Sequence, residues 1–288
     1  MAAPNPPPAA SSDMECTQCG HKASGLSGAA QMNRCSACKA VFYCSAEHQK
    51  VHKPACASRS TSKPYILHID FHRETTDSAP WCKPLLDSLS LPFSRTYAIA
   101  TSPAQALNVL AHPIAPKCIL CTSGEIADVE CAELRSQLRK YIEHGGRLVL
   151  GGPIANFLHL GKVNSMFADF GAPEWAYAGY HRTTHSLNAG HPLYAALPGS
   201  STARAALPSS YSCKSVFLKN VPREEALYQT TSTSRPESLV PLPGNVVRDD
   251  EVAVAAKKVG EGWFAWVGDV NQENGSTMAT LVLLGVKE

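Results

Sequence analysis

The sequence predicts an α/β protein, a doubly wound parallel sheet preceded by a small module held together by metal. Two observations predict it. Short apolar runs alternate with helix-like segments over about ninety residues after Tyr65, as strands and their crossover helices do. Ahead of them, six of the eleven cysteines fall between Cys16 and Cys56 together with His48 and His52, a ligand density that a metal needs and a core does not. The length, 288 residues, with 44% apolar and 17% charged residues, fits one small module plus one ordinary domain and argues against general disorder.

Residues 1–13 contain Pro4, Pro6, Pro7 and Pro8 among Ala and Ser, a tail too polar and broken to bury surface. No apolar run preceded by positive charge suggests a secretory leader, and none is long enough to span a bilayer, so the expectation is a soluble chain of the cytoplasm or nucleus. In such a reducing compartment, clustered cysteines hold metal more readily than disulfides.

The module, residues 14–57, reads Cys16-x2-Cys19, Cys35-x2-Cys38, then Cys44-x3-His48-x3-His52-x3-Cys56. Thiolates and imidazoles in closely spaced pairs suit tetrahedral zinc, and eight of them complete two shells with no position left for water. Closed shells are structural, so the expectation is two structural zinc ions and no catalytic metal. Val41-Phe42-Tyr43 reads as a short strand presenting Cys44, and residues 45–56 as a helix with a ligand every four residues along one side. Cys44 and Cys56 would then stand roughly 18 Å apart along the axis, so one ion cannot take all four. The helix must share them: Cys16, Cys19, Cys44 and His48 on one ion, Cys35, Cys38, His52 and Cys56 on the other.

Charge narrows the partners. The formal net charge of the chain is +2. Within the module, Lys22, Arg34, Lys39, Lys50 and Lys53 outnumber Glu15 and Glu47, and two zinc dications on six thiolates bring the balance to about +1. That is not the concentrated basic face of a nucleic-acid finger.

These residues resemble the MYND-type zinc finger, through the two Cys-x2-Cys pairs, Phe42-Tyr43-Cys44-Ser45, His48-Gln49-Lys50 and His52-Lys53-x2-Cys56. The resemblance covers residues 16–56. It implies two zinc ions in the interleaved pairing and recruitment of protein partners through proline-containing peptides. The sequence departs from the family twice. The stretch between Cys19 and Cys35 is longer, with Gly20, Gly25 and Gly28 suggesting a loop. About one helical turn is missing between Gln49 and His52, with the Trp the family places there. Removing four residues rotates a helix by only roughly 40°, so the zinc spacing survives. The peptide groove loses one of its residues.

After a linker at 58–63, residues 64–288 form the second domain. Tyr65–Ile69 is predicted as a strand, Trp81–Leu89 as a short helix, and Arg95–Ile99 as a second strand. Pro103 starts a helix through Leu110, since Pro suits a first turn. Cys118–Cys121 is a third strand. Val129–His144 is an amphipathic helix with Cys131, Leu134, Leu138, Tyr141 and Ile142 on one side, closed by Gly145-Gly146. Arg147–Leu150 is a fourth strand. Beyond residue 175 the pattern turns β-rich, with Val252–Ala255 and Trp263–Val267 as an antiparallel pair around Gly260-Glu261-Gly262 and a covering helix at Thr277–Leu284. The domain resembles the class I glutamine amidotransferase-like, flavodoxin-like fold in its degenerate branches. The resemblance rests on Gly145-Gly146, Gly151-Gly152, Gly190-His191-Pro192-Leu193 and Gly260-x-Gly262…Gly268-Asp269-Val270-Asn271. Catalytic members carry a nucleophilic Cys on the turn after the strand matching 147–150. Here that turn is Gly151-Gly152-Pro153, without thiol or hydroxyl, so no catalytic residue is expected.

The remaining candidates favour structure over chemistry. Cys118 and Cys121 lie on an apolar strand and read as core, as do the isolated Cys82, Cys131 and Cys213. His181-x3-His185 lacks helical context and an accompanying carboxylate. Asp269 and Glu273 read as a loop cap at a strand end. Asn274-Gly275-Ser276 is a glycosylation triplet without meaning in an intracellular chain. The function expected is an adaptor or scaffold; the alternative is a hydrolase or transferase with a pocket near Asp70, Ser123 and Gly151, where such sheets place ligands.

Overall fold

The structure is a computed structural model that describes residues 16, 18, 19, 22, 32–35, 41–52, 66–72, 80–90, 97–112, 114–237 and 247–287. The expected tail at 1–13 and linker at 58–63 lie outside these, as do Cys38 and Cys56.

In the N-terminal module, β1 (Asn33–Arg34) pairs antiparallel with β2 (Phe42–Tyr43), in register Asn33↔Tyr43 and Arg34↔Phe42. Residues 46–52 are helical, and the Ser45 hydroxyl caps them by accepting from the His48 N–H at 3.2 Å.

Nine strands form the main sheet, in the order β4-β3-β5-β6-β11-β10-β8-β7-β9. Its parallel half joins β3 (Ile66–Ile69), β4 (Tyr97–Ala100), β5 (Cys118–Cys121), β6 (Arg147–Leu150) and β11 (Gly262–Val267). Strands β3, β5 and β6 are short apolar runs with nearly every residue buried, because helices cover both faces. On one face α2 (Pro103–Leu110), α3 (Ala132–Glu143) and α4 (Val163–Asp169) pack on Leu67, Ile119, Leu148 and Trp266. On the other, α1 (Lys83–Ser90) and α5 (Asn274–Leu284) pack on Ile66, Leu120, Val149 and Ala265. Helix α2 starts where Ser102 accepts from the Gln105 N–H, with Pro103 in its first turn. Helix α5 ends at Gly285, whose φ of 68° is the left-handed C-cap that glycine accepts without strain.

The sheet is not wholly parallel. From β10 (Val252–Val259) onward it is antiparallel, through β8 (Ser210–Lys219), β7 (Ala176–Leu187) and β9 (Ala226–Gln229). Strand β9 pairs with both β7 and β10, so these four strands close on themselves in a barrel-like unit. The result is a mixed helix-and-sheet domain behind an N-terminal finger. The expected antiparallel pair is present as β10 and β11, but β11 also lies parallel to β6 and welds the two halves. The expected helix at 129–144 opens with a 3-10 turn, Val129–Cys131, before α3. The last helix is more than a cover: α5 begins at Asn274 and is buried over most of its circumference.

Candidate metal centre

The finger converges four ligand atoms by simple geometry. Cys44 and His48 are one helical turn apart, and Cys44 Sγ lies 3.1 Å from His48 Nδ1. Cys16, held beside β2 by a bridge to Phe42, brings its Sγ to 3.6 Å from the same nitrogen. Cys19 Sγ lies 3.5 Å from Cys44 Sγ. All four ligand atoms lie within 4.8 Å of one another. Zinc with Zn–S bonds near 2.3 Å places neighbouring sulfurs about 3.8 Å apart, so three thiols and one imidazole at this spacing fit a tetrahedral ion.

Electrostatics favours a dication here. Burial raises the Cys16 thiol, but backbone N–H groups of Cys44, Gln18 and Cys19 outweigh it and bring it down to about 7. Burial, with the sulfurs of Cys19 and Cys16, pushes Cys44 up to about 12. Crowded sulfurs cannot all ionise unaided; a bound dication removes that penalty and makes each a thiolate.

Of the second expected set, Cys35 is buried against Val41, Tyr43 and Cys16, and its N–H bonds the Val41 carbonyl at 3.0 Å. His52 is also buried, its ring 5.4 Å from Tyr43 and 4.9 Å from His112. Burial, and then the neighbouring His112, lowers His52 to about 4. Cys38 and Cys56 lie outside the described residues, so among those described only the first set is assembled. His112 did not stand out in the sequence; nothing local connects it to His52, sixty residues earlier.

In the α/β domain, Asp70, Ser123 and Gly151 do meet at the C-terminal edge of the parallel strands. Several of their polar groups bond backbone, and Asp70 Oδ2 lies 3.9 Å from His68 Nε2. Ser123 Oγ accepts the Phe71 N–H at 2.6 Å, Asp70 Oδ1 accepts the His72 N–H at 3.2 Å, and the Gly151 N–H bonds the Cys121 carbonyl at 3.1 Å. Behind them the buried His68 is held between Tyr97 Oη at 2.6 Å and Thr122 Oγ1 at 2.9 Å. Gly152 has φ 65°, and a Cβ there would meet the Thr122 methyl at 2.9 Å. A cleft of about 540 Å³ opens at the other end of the domain, lined by Leu110, Lys117, Tyr141 and Gly146.

The other candidates settle into structure. Cys118 and Cys121 belong to opposite faces of the sheet, which excludes a dithiol between them. His181 and His185 lie on β7, not on a helix. A carboxylate does accompany the first: His181 Nε2 lies 3.0 Å from Glu251, both buried. Asp269 caps its loop, accepting the Asn271 and Glu273 N–H groups at 2.9 and 2.7 Å.

Residues 16–56 match the family described as MYND finger. No curated protein matches the chain by sequence. Among solved structures, a ThuA-like protein from Bacteroides uniformis is 13% identical, covering 77% of this chain and 90% of its own, with a TM-score of 0.47. A cytoplasmic protein from Salmonella typhimurium is 9% identical over 78% of this chain and 100% of its own, at 0.42. A beta-galactosidase from Bacillus circulans is 12% identical over 77% of this chain, at 0.41, and the match spans only 30% of the galactosidase. No helix among the described residues is long and apolar enough to cross a membrane.

Proposed function

We propose that the chain is a zinc-dependent adaptor whose MYND-type finger contacts partner proteins and whose α/β domain performs no chemistry. The observation that carries this reading is the cluster of Cys16, Cys19, Cys44 and His48 within a segment that matches the finger family. Two structural zinc ions are its cofactors, the first on that cluster and the second on Cys35, Cys38, His52 and Cys56. Bound there, zinc supplies folding free energy that some forty residues cannot draw from a core of their own. The partners are proteins, with proline-containing peptides as the recognised class. The near-neutral charge supports this over nucleic acid. Thiolate ligands suit a reducing compartment, the cytoplasm or nucleus.

For residues 64–288 the strand order β4-β3-β5-β6-β11, with helices on both faces, supports a flavodoxin-like, doubly wound core. A glutamine amidotransferase-like ancestry that lost its nucleophile accounts for the Gly151-Gly152-Pro153 turn. The competing reading, a hydrolase or transferase, draws on Asp70 and Ser123 meeting at the strand ends. The bonds those side chains make to backbone support a structural role instead.

The test is elemental analysis of the purified full-length chain beside its Cys44→Ser and Cys56→Ser variants, followed by binding of proline-containing peptides. Two zinc ions per chain, fewer in each variant, and peptide binding that disappears in Cys44→Ser are expected. One ion or none would withdraw the adaptor reading and move the search to the α/β domain.

A further inference from the structure

The cleft of about 540 Å³ lies between the segment after α2 and the end of α3. Its floor is apolar, made by Leu110, Pro116 and the Tyr141 ring. That ring is fixed at both ends. Its hydroxyl donates to the Pro116 carbonyl at 3.0 Å, and it lies so close over Gly146 that no Cβ fits between them. Lys117, Lys140 and His144 stand exposed on the rim, and no Asp or Glu is among the residues lining the cleft. Glu143 nearby is paired with Arg139 at 2.7 Å. Cations at the end of a helix often answer its last carbonyls, but at the end of α3 these are already bonded. The N–H groups of His144, Gly145 and Gly146 donate to the carbonyls of Lys140, Ile142 and Tyr141 at 3.1, 3.0 and 3.0 Å. His144 Nδ1 adds a bond to the Lys140 carbonyl at 2.7 Å. The ammonium groups are not needed there.

The same segment meets the finger. His112 follows Leu110 by two residues, and its ring lies 4.9 Å from that of His52. Val51 of the finger packs on the apolar layer that also carries Leu110 and Tyr141. We propose that the cleft is a second contact site for the finger's protein partners, taking an acidic segment that flanks the proline-containing one. An apolar side chain of that segment rests on Leu110 and Tyr141, and its carboxylates meet Lys117 and Lys140. Exposed ammonium groups each strengthen binding only a few-fold, and salt screens them. That is too little to hold a free anion. A segment tethered at the finger is different, because it meets the cleft at an effective concentration on the order of millimolar, where a weak contact counts. Three rim cations on a chain of net charge +2 fall short of the basic face that nucleic acid requires.

This inference rests on the adaptor reading, and one experiment separates the two. The proline-containing peptide that binds full-length protein most tightly in the test above is labelled and prepared without a tail, with an Asp-Leu-Asp-Asp tail and with a Lys-Leu-Lys-Lys tail, each tail placed in turn at either end. Fluorescence anisotropy measures its binding to wild type, to Lys117→Glu/Lys140→Glu and to Lys117→Gln/Lys140→Gln. For wild type at low salt, the acidic tail in its better placement should tighten binding roughly 3- to 10-fold. The gain should vanish at about 0.5 M salt. Both variants should bind the untailed peptide as wild type does and lose the gain, and the glutamate variant should favour the lysine tail instead. An acidic tail that adds nothing at either end overturns the inference. So does a gain that persists in both variants, since the acidic segment then docks elsewhere, or a loss of untailed binding in the glutamine variant. If no proline-containing peptide binds the wild type at all, the adaptor reading falls first, and this inference with it.

Discussion

Cys44 Sγ and His48 Nδ1 lie 3.1 Å apart across a single turn of the finger helix. The helix fixes that pair, and Cys16 and Cys19 meet it from the segment before β1. One site thus depends on two stretches about thirty residues apart, and no smaller fragment can hold it. Cys44→Ser should lower the zinc content by one ion and expose the remaining finger thiols to modification, while α3 and β6 keep their protection. Elemental analysis with thiol titration and hydrogen exchange measures both. Retention of a full zinc complement would show that Cys44 is not a ligand.

Arg135 gives a second prediction. Its Nη1 donates to the carbonyls of Ile126 and Asp128 at 2.8 and 2.6 Å, and its Nε to Asp169 at 2.6 Å. Asp169 is about half exposed, so that ion pair adds little. The charged bonds to two carbonyls carry the effect, tying the loop after β5 to α3. Arg135→Met should cost roughly 2–3 kcal/mol in urea unfolding. Arg135→Lys should recover less than half, because an ammonium cannot reproduce the guanidinium fork. Full rescue by lysine would argue against it.

The glycines after β6 should differ from each other. At Gly151 an added Cβ finds its nearest neighbour, on Val267, at 3.4 Å, an ordinary contact. At Gly152 it meets the Thr122 methyl at 2.9 Å in a backbone with φ 65°. Gly151→Ala should shift stability by less than about 1 kcal/mol. Gly152→Ala should cost more than about 1 kcal/mol, from the left-handed backbone and the clash together. Equal midpoints in denaturant would mean that the turn relaxes more freely than its geometry implies.

The parallel half was legible because each strand is a short apolar run and each helix has a local signal. Ser102-Pro103 opens α2 and Gly145-Gly146 follows α3. The barrel-like half was not, and its interior explains why. His181, Thr183, His185, Cys213 and Ser215 are all buried there, so β7 and β8 lack the apolar alternation that marks a strand facing a core. Closure through β9 and the insertion of β11 beside β6 are long-range pairings with no local trace. The finger reads so clearly because ligand spacing is a local code. Its contact with His112 joins two segments that no spacing rule connects.

That polar interior predicts a pH dependence centred on His185. Its ring packs edge-on against Tyr211 at 4.2 Å and Tyr228 at 5.6 Å, with Cys213 Sγ 3.9 Å from Nε2. Burial dominates, and lowers its pKa to about 4. Unfolded histidine titrates near 6.5, so between those values the unfolded chain binds a proton that the folded chain refuses. Stability from this group is therefore complete above about pH 7, falls as the pH drops through 6.5, and levels off below about 4. Between pH 7.5 and pH 5 the loss should be roughly 2 kcal/mol. His191, also lowered by burial, adds to the slope in the same direction. Asp269, whose carboxyl burial raises, works the other way as the pH enters the carboxylate range. Comparing urea midpoints of wild type and His185→Phe across this range isolates the contribution, since phenylalanine keeps an aromatic ring and cannot take up the proton. The variant should lose less stability on acidification than the wild type. Two parallel pH profiles would mean that His185 reaches water before the domain unfolds, and that the barrel-like half opens locally in acid while the parallel half holds.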